Sequence, residues 1–142
     1  MFGFFESEET KKIKSHIANL SALAKIDGHV DANEMNFIIS IGRKHGLKAD
    51  EVRNLVANAE KQEPQLPTND SERFDQIYDL VEMMLADGIV DENEMEFCIN
   101  MAARLGFKKS IVGVLVRKIT IGVKDGFTRE HIKREAQTFL NY

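Results

Sequence analysis

Residues 17–56 recur 60 positions downstream, and this duplication limits the possible folds of the 142-residue chain more than any other feature. Sixteen of those 40 positions are identical in the two copies. The dense block is Asp27-Gly28-x-Val30-Asp31-x-Asn33-Glu34-Met35-x-Phe37. Its copy is Asp87-Gly88-x-Val90-Asp91-x-Asn93-Glu94-Met95-x-Phe97. Self-similarity at a fixed period marks a supersecondary unit used twice. Each unit reads as helix, acidic turn, helix, Gly turn, helix, with Gly46 and Gly106 ending the middle helices. A fainter echo, Asp125-Gly126-Phe127-Thr128, precedes the last segment.

The apolar periodicity is helical along nearly the whole chain. Ile13, Ile17, Leu20 and Ala24 recur at three and four, as do Phe74, Ile77, Val81 and Met84 in the second half. The spacing predicts seven helices near 7–26, 31–45, 49–62, 70–86, 91–105, 109–122 and 128–141. The β-branched run Ile119–Val123 is read as a helix end, closed by Gly122 and Gly126. The fold class is therefore all-α: repeats over about 10–62 and 70–122, a closing helix over 128–141, and one domain over 1–142. The only loop of any length surrounds Pro64 and Pro67, after which Asn69-x-x-Glu72 reads as a capping box. Met35, Phe37, Ile39 and their copies Met95, Phe97, Ile99 are repeated apolar residues, and most are expected in the core.

Composition narrows the function classes. Nineteen Lys and Arg against 23 Asp and Glu give a net charge of −4, which argues against a nucleic-acid binder with its concentrated basic face. The single Cys98 excludes an intramolecular disulfide and a Cys-rich zinc site. It falls on an apolar-rich helix and reads as a buried thiol. No apolar run reaches the ~18 residues of a membrane span. The short Met1–Phe5 segment lacks the basic start of a secretory signal. The expected location is cytoplasmic, with Phe2, Phe4 and Phe5 packing on the chain's own core or on a partner.

The acidic turns carry the most chemistry. Asp27, Gly28, Val30, Asp31 and Glu34 fit the fifth, sixth, eighth, ninth and twelfth places of an EF-hand calcium loop. The first and third places fall on Leu23 and Lys25, and on Met83 and Leu85 in the copy, so a complete EF-hand is excluded on ligand count. What survives is a partial, oxygen-rich site for a hard cation. A purely structural reading stands beside it. Gly28 suits a left-handed C-cap, and Asp31 with Glu34 forms a capping box for the next helix. Asp27 and Asp87 are the residues left over, since a carboxylate at a helix C-terminus faces the negative end of the dipole. An Asx turn or a bound cation would account for them. If the two turns gather, six carboxylates share one surface: Asp27, Asp31, Glu34, Asp87, Asp91 and Glu94.

Other motifs are missing. His16, His29, His45 and His131 have no metal-ligand spacing, and no nucleophile elbow, P-loop or dinucleotide fingerprint occurs. The basic C-terminal third, with Arg117, Lys118, Lys124, Arg129, Lys133 and Arg134, reads mainly as a solvated helix face.

The segments Leu23–Glu34 and Met84–Glu94 carry a block, A-x-x-D-G-x-V-D-x-x-E with Met84 in the place of the Ala in the second copy, that resembles the tellurite-resistance TerB-like family. It is also similar to the TerB-like domain of a membrane-anchored DnaJ-like co-chaperone. The resemblance covers nearly the whole chain. It implies an all-α bundle of seven or more helices whose acidic residues bind divalent metal. It also implies a stress-response role near the inner face of the membrane, without a known reaction. Carried over residue by residue, the metal candidates are Asp27, Asp31, Glu34, Asp87, Asp91 and Glu94. The chain lacks the co-chaperone's J-domain and membrane span, so chaperone recruitment is not implied.

The expected function is non-enzymatic: a TerB-like protein whose acidic turns bind a divalent cation (Ca, Mg, Zn or Mn) weakly. The alternative is an interaction module for a protein partner or homodimer, in which the acidic turns are only caps. An enzyme is the least favoured reading, because no His or nucleophile motif accompanies the carboxylates.

Overall fold

The computed structural model describes residues 6–86 and 90–140, the side chains of Asp27, Phe139 and Leu140 excepted. All regular structure among the described residues is helical. The chain divides into two compact units, Met1–Leu66 and Pro67–Tyr142, and the division falls in the Pro64–Pro67 loop.

The first unit holds α1 (Glu8–Ala24), α2 (Ala32–Lys44) and α3 (Ala49–Ala57), with 3-10 turns at Lys25–Asp27 and Ala59–Lys61. Ser7 opens α1 by accepting the Thr10 N–H at 3.1 Å, an N-cap that stabilises one of the orphan donors of a helix start. The α1 stripe Ile13, Ile17, Leu20, Leu23 and Ala24 is buried, at the three-and-four spacing that places these residues on one face. It packs against α2 and α3, which contribute Ile38, Ile41, Val52 and Val56.

The second unit holds α4 (Asp70–Leu85), α5 (Glu92–Leu105), α6 (Lys109–Lys124) and α7 (Arg129–Leu140). Phe74, Ile77, Leu80, Val81 and Met84 of α4 are buried. The facing side chains include Cys98, Ala102, Leu115, Val116 and Ile119 from α5 and α6. Ile132 and Ala136 seat α7 on this core. The side chains of Phe139 and Leu140 lie outside the described residues, as do Phe2, Phe4 and Phe5.

Three helices end alike. After α2, α5 and α6 come Gly46, Gly106 and Gly126, with φ of 92°, 119° and 83°. The following Leu47, Phe107 and Phe127 donate their N–H to Gly42, Ala102 and Gly122 carbonyls, at 2.9, 3.2 and 3.0 Å. This Schellman arrangement satisfies orphan carbonyls and needs a left-handed residue, which glycine supplies without a Cβ clash.

Several expectations are corrected. The helix expected over 49–62 breaks after Ala57: Asn58 turns its side-chain amide back onto the Asn54 carbonyl at 3.0 Å, and a 3-10 turn follows. The helix expected to close at Gly122 runs on to Lys124, because the left-handed residue is Gly126 alone. Asn69 caps α4 by accepting the Glu72 N–H at 2.9 Å, but Glu72 reaches back to the Thr68 N–H at 3.0 Å instead of closing the expected box on Asn69.

The repeated apolar residues are mostly not core. Ile39 is buried, whereas Met35, Phe37, Met95, Phe97 and Ile99 are only half-buried. Spacing of i, i+2, i+4 sweeps about 200° around a helix, so no single core can enclose all three. The inward faces are instead Ile38, Ile41 and Gly42 in α2, and Cys98, Met101, Ala102 and Leu105 in α5.

Candidate functional site

The first acidic turn is a closed capping device. After the 3-10 turn, Gly28 takes φ 108° and donates its N–H to the Lys25 carbonyl at 2.9 Å. Asp31 then accepts the Glu34 N–H at 2.8 Å, and Glu34 accepts the Asp31 N–H at 3.0 Å. Each carboxylate thus holds the other's backbone donor, and both sit at the positive end of α2. In the second turn Asp91 accepts the Asn93 N–H at 2.6 Å, one residue earlier than its counterpart. The side chain of Asp27 and all of Asp87 lie outside the described residues. Among the described residues no three His, Cys, Asp or Glu side chains come together as a metal would require. Asp31 and Glu34 by themselves supply too few donors for a hard cation, which takes six or more oxygens.

Lys25 occupies the third place of the incomplete calcium loop. It is anchored elsewhere: its ammonium donates to the Val56 carbonyl at 2.8 Å and so caps the end of α3. Arg73 does comparable work in the second unit, donating from Nε to the Leu105 carbonyl at 3.1 Å at the end of α5.

A charged cluster not anticipated from the sequence joins α4 to α7. Arg129 Nη2 lies 2.6 Å from Asp79 Oδ1, with Asp75 at 3.6 Å and Glu82 at 3.8 Å. Its guanidinium also covers the Tyr78 ring, 4.3 Å from the centroid. Lys133, one turn on, reaches Asp75 at 3.2 Å. Burial opposes the Arg129 charge, but the attraction and hydrogen bond of Asp79, aided by Asp75 and Glu82, outweigh it and raise the guanidinium's pKa. Burial also raises the Tyr78 hydroxyl, reinforced by Glu82. The signal was present in the sequence: Asp75, Asp79 and Glu82 share one helix face, and Arg129 and Lys133 share another. Part of the basic C-terminal third is therefore an internal clamp rather than a solvated face. Cys98 is fully enclosed, and desolvation, with Glu94 nearby, pushes its thiol up to about 12. A thiol held protonated is a poor nucleophile and a poor metal ligand.

The second unit also carries an open groove of about 420 Å³ between α6 and α7. Val114, Ile121 and Phe127 line it while remaining 55%, 60% and 50% exposed. Arg117 and Lys118 stand between the two α6 residues, and Ile132 forms the floor. Gly122 permits the close approach of the helices, since a Cβ there would lie 2.6 Å from Ile132 Cδ1. Lys118 and His131 converge on Glu135 at 3.2 and 3.5 Å, and the His131 ring stacks on Phe127 at 4.7 Å. No described helix is long and apolar enough to cross a membrane. Comparison of the chain with known protein families, with curated proteins and with solved structures finds no match to any of them.

Proposed function

We propose that this chain is a non-enzymatic interaction module of TerB-like type, in which two copies of one three-helix unit are held in shape by acidic caps. The observation that carries this reading is α6. Its inward residues Val112, Leu115, Val116 and Ile119 are enclosed, yet Val114 and Ile121 keep more than half their surface in water. Large apolar side chains left exposed together beside an open groove mark a surface suited to a partner. The closed Asp31–Glu34 box supports the cap reading of the turns.

The test is a photo-crosslinking scan in cells, with the reactive group at exposed positions Asn36, Asn54, Glu96 and Val114. A discrete adduct from any of them supports an interaction module, and none from all four overturns it. The duplicate unit is checked by experimental structure determination. Residues 10–62 and 70–122 should superpose, and unrelated helix paths would remove the proposal.

A second reading, weak binding of a divalent cation in the acidic turns, is favoured by the duplication of Asp27 as Asp87, which capping does not explain. Its test is thermal melting with added Ca²⁺, Mg²⁺, Mn²⁺ or Zn²⁺, since a ligand held only by the folded state raises the melting temperature.

A further inference from the structure

We propose that the α6–α7 groove binds an acidic amphipathic helix of a partner protein; this deepens the interaction reading above and rests on it. The first support is geometric. Val114 and Ile121 stand seven residues apart on α6, two helical turns or about 10.5 Å. That is the spacing at which the i and i+7 residues of a docked helix meet a groove. Phe127 extends the apolar floor beyond the end of α6.

The second support is a comparison inside the chain. Sixty positions upstream of Val112, Leu115 and Val116 stand Val52, Leu55 and Val56, so three of the four inward residues are unchanged, with Ala59 in the place of Ile119. The outward residues are not. Val114, Arg117, Lys118 and Ile121 correspond to Asn54, Ala57, Asn58 and Lys61. In the first unit Asn54 and Ala57 show what the helix carries where its outer face meets water, while Asn58 and Lys61 fall in its C-cap and the 3-10 turn that follows. In the second unit two polar positions have become apolar, and two neutral positions between them have become cationic. Neither change serves the core positions shared by the two units, Val112 and Val116, which are buried like Val52 and Val56.

The third support is charge. Residues 109–124 contain Lys109, Arg117, Lys118 and Lys124 and no acid, in a chain of net charge −4. Glu135 of α7 also lines the groove and holds Lys118 at 3.2 Å, so it is Arg117 that an occupant with apolar anchors and flanking carboxylates complements. A second copy docking symmetrically would set Arg117 and Lys118 against their own images, since a twofold interface brings the same patch together from both sides. That juxtaposition repels.

The test uses the full chain and two dye-labelled helical peptides, each about four turns long. Both carry Leu at i, i+3, i+4 and i+7; the other positions are Glu in one peptide and Lys in the other. Fluorescence anisotropy should show the Glu peptide binding at least about tenfold more tightly at low salt. The gap should narrow at roughly 0.5 M salt as screening shortens the reach of Arg117 and Lys118. Installing the first unit's residues, Val114→Asn with Ile121→Lys, should weaken the Glu peptide at least about tenfold although it adds positive charge. Arg117→Glu alone should reduce or invert the preference between the peptides. If the double variant does not fold, Arg117→Glu still decides the outcome. Absence of saturable binding, equal affinity for both peptides, or binding indifferent to these variants overturns the proposal. So does sedimentation equilibrium showing a wild-type dimer that the double variant dissociates. A crosslinked adduct from Asn36 or Glu96 alongside such a result would leave the interaction reading standing and sink only this groove.

Discussion

Arg129 on α7 holds Asp79 on α4 through a 2.6 Å hydrogen-bonded ion pair, and the Asp79 side chain is only 6% exposed. Taking two charges out of water is costly, and removing one partner leaves the other buried without its counter-charge. Arg129→Ala is therefore expected to cost about 3 kcal/mol in urea denaturation. The double variant with Asp79→Asn should recover part of that loss, because the stranded charge is gone. Additive losses would mean that the pair contributes nothing as a pair.

Gly122 and Ile132 set the approach of α6 to α7. Gly122→Ala places a Cβ 2.6 Å from Ile132 Cδ1, and the overpacking should cost about 1–3 kcal/mol. The gain in helix propensity of Ala over Gly, about 1 kcal/mol, is too small to reverse the sign. Ile132→Val removes Cδ1 but leaves Cγ1, 2.7 Å from the added Cβ, so the double variant should lose less than the sum of the two single variants. Denaturant midpoints of the three proteins check this.

The acidic turns separate into two kinds of residue. Asp31→Ala should lose about 0.5–2 kcal/mol without any metal, because the α2 cap is lost. Asp31→Asn should be close to silent, since an amide oxygen still accepts the Glu34 N–H. Asp27→Asn and Asp87→Asn should leave metal-free stability unchanged or slightly higher, each removing a negative charge near a helix C-terminus. On the interaction reading, none of the four divalent cations raises the melting temperature. A rise that both Asn variants abolish would establish the cation reading instead.

Cys98 should report alkaline unfolding. Its thiol is raised from 9.0 to about 12 by burial, so the folded state keeps a proton that the unfolded chain releases. The resulting stabilisation is complete below pH 9 and is lost as pH climbs from 9 toward 12. Relative to Cys98→Ala, the wild type should lose stability more steeply in that window, by up to about 1.4 kcal/mol per pH unit. Parallel pH curves for the two proteins would show the thiol pKa to be unshifted. Native Cys98 should also react with alkylating reagents at pH 8 only as fast as the chain opens.

The sequence by itself determined the helical class, the approximate extents of most of the described helices, and the caps at Asp31, Asn69, Gly46 and Gly106. Those features are local. The three-and-four spacing of Ile13, Ile17 and Leu20, the Asp31–Glu34 pair and the left-handed glycines Gly46, Gly106 and Gly126 act within a turn or two of chain. What only the tertiary structure decided was which side of each helix is enclosed. Phe37 and Phe97 are repeated and apolar, yet the faces centred on Ile38 and Cys98 point inward, because inward direction depends on the helices packed alongside. The same holds for charge. Arg129 and Lys133 read as a solvated basic face until α4 brings Asp75 and Asp79 opposite them. Val114 and Ile121 are apolar residues of α6 that the packing of α4, α5 and α7 around that helix leaves outside. Burial and pairing are properties of neighbours distant in sequence, and a one-dimensional pattern records only the neighbours along the chain.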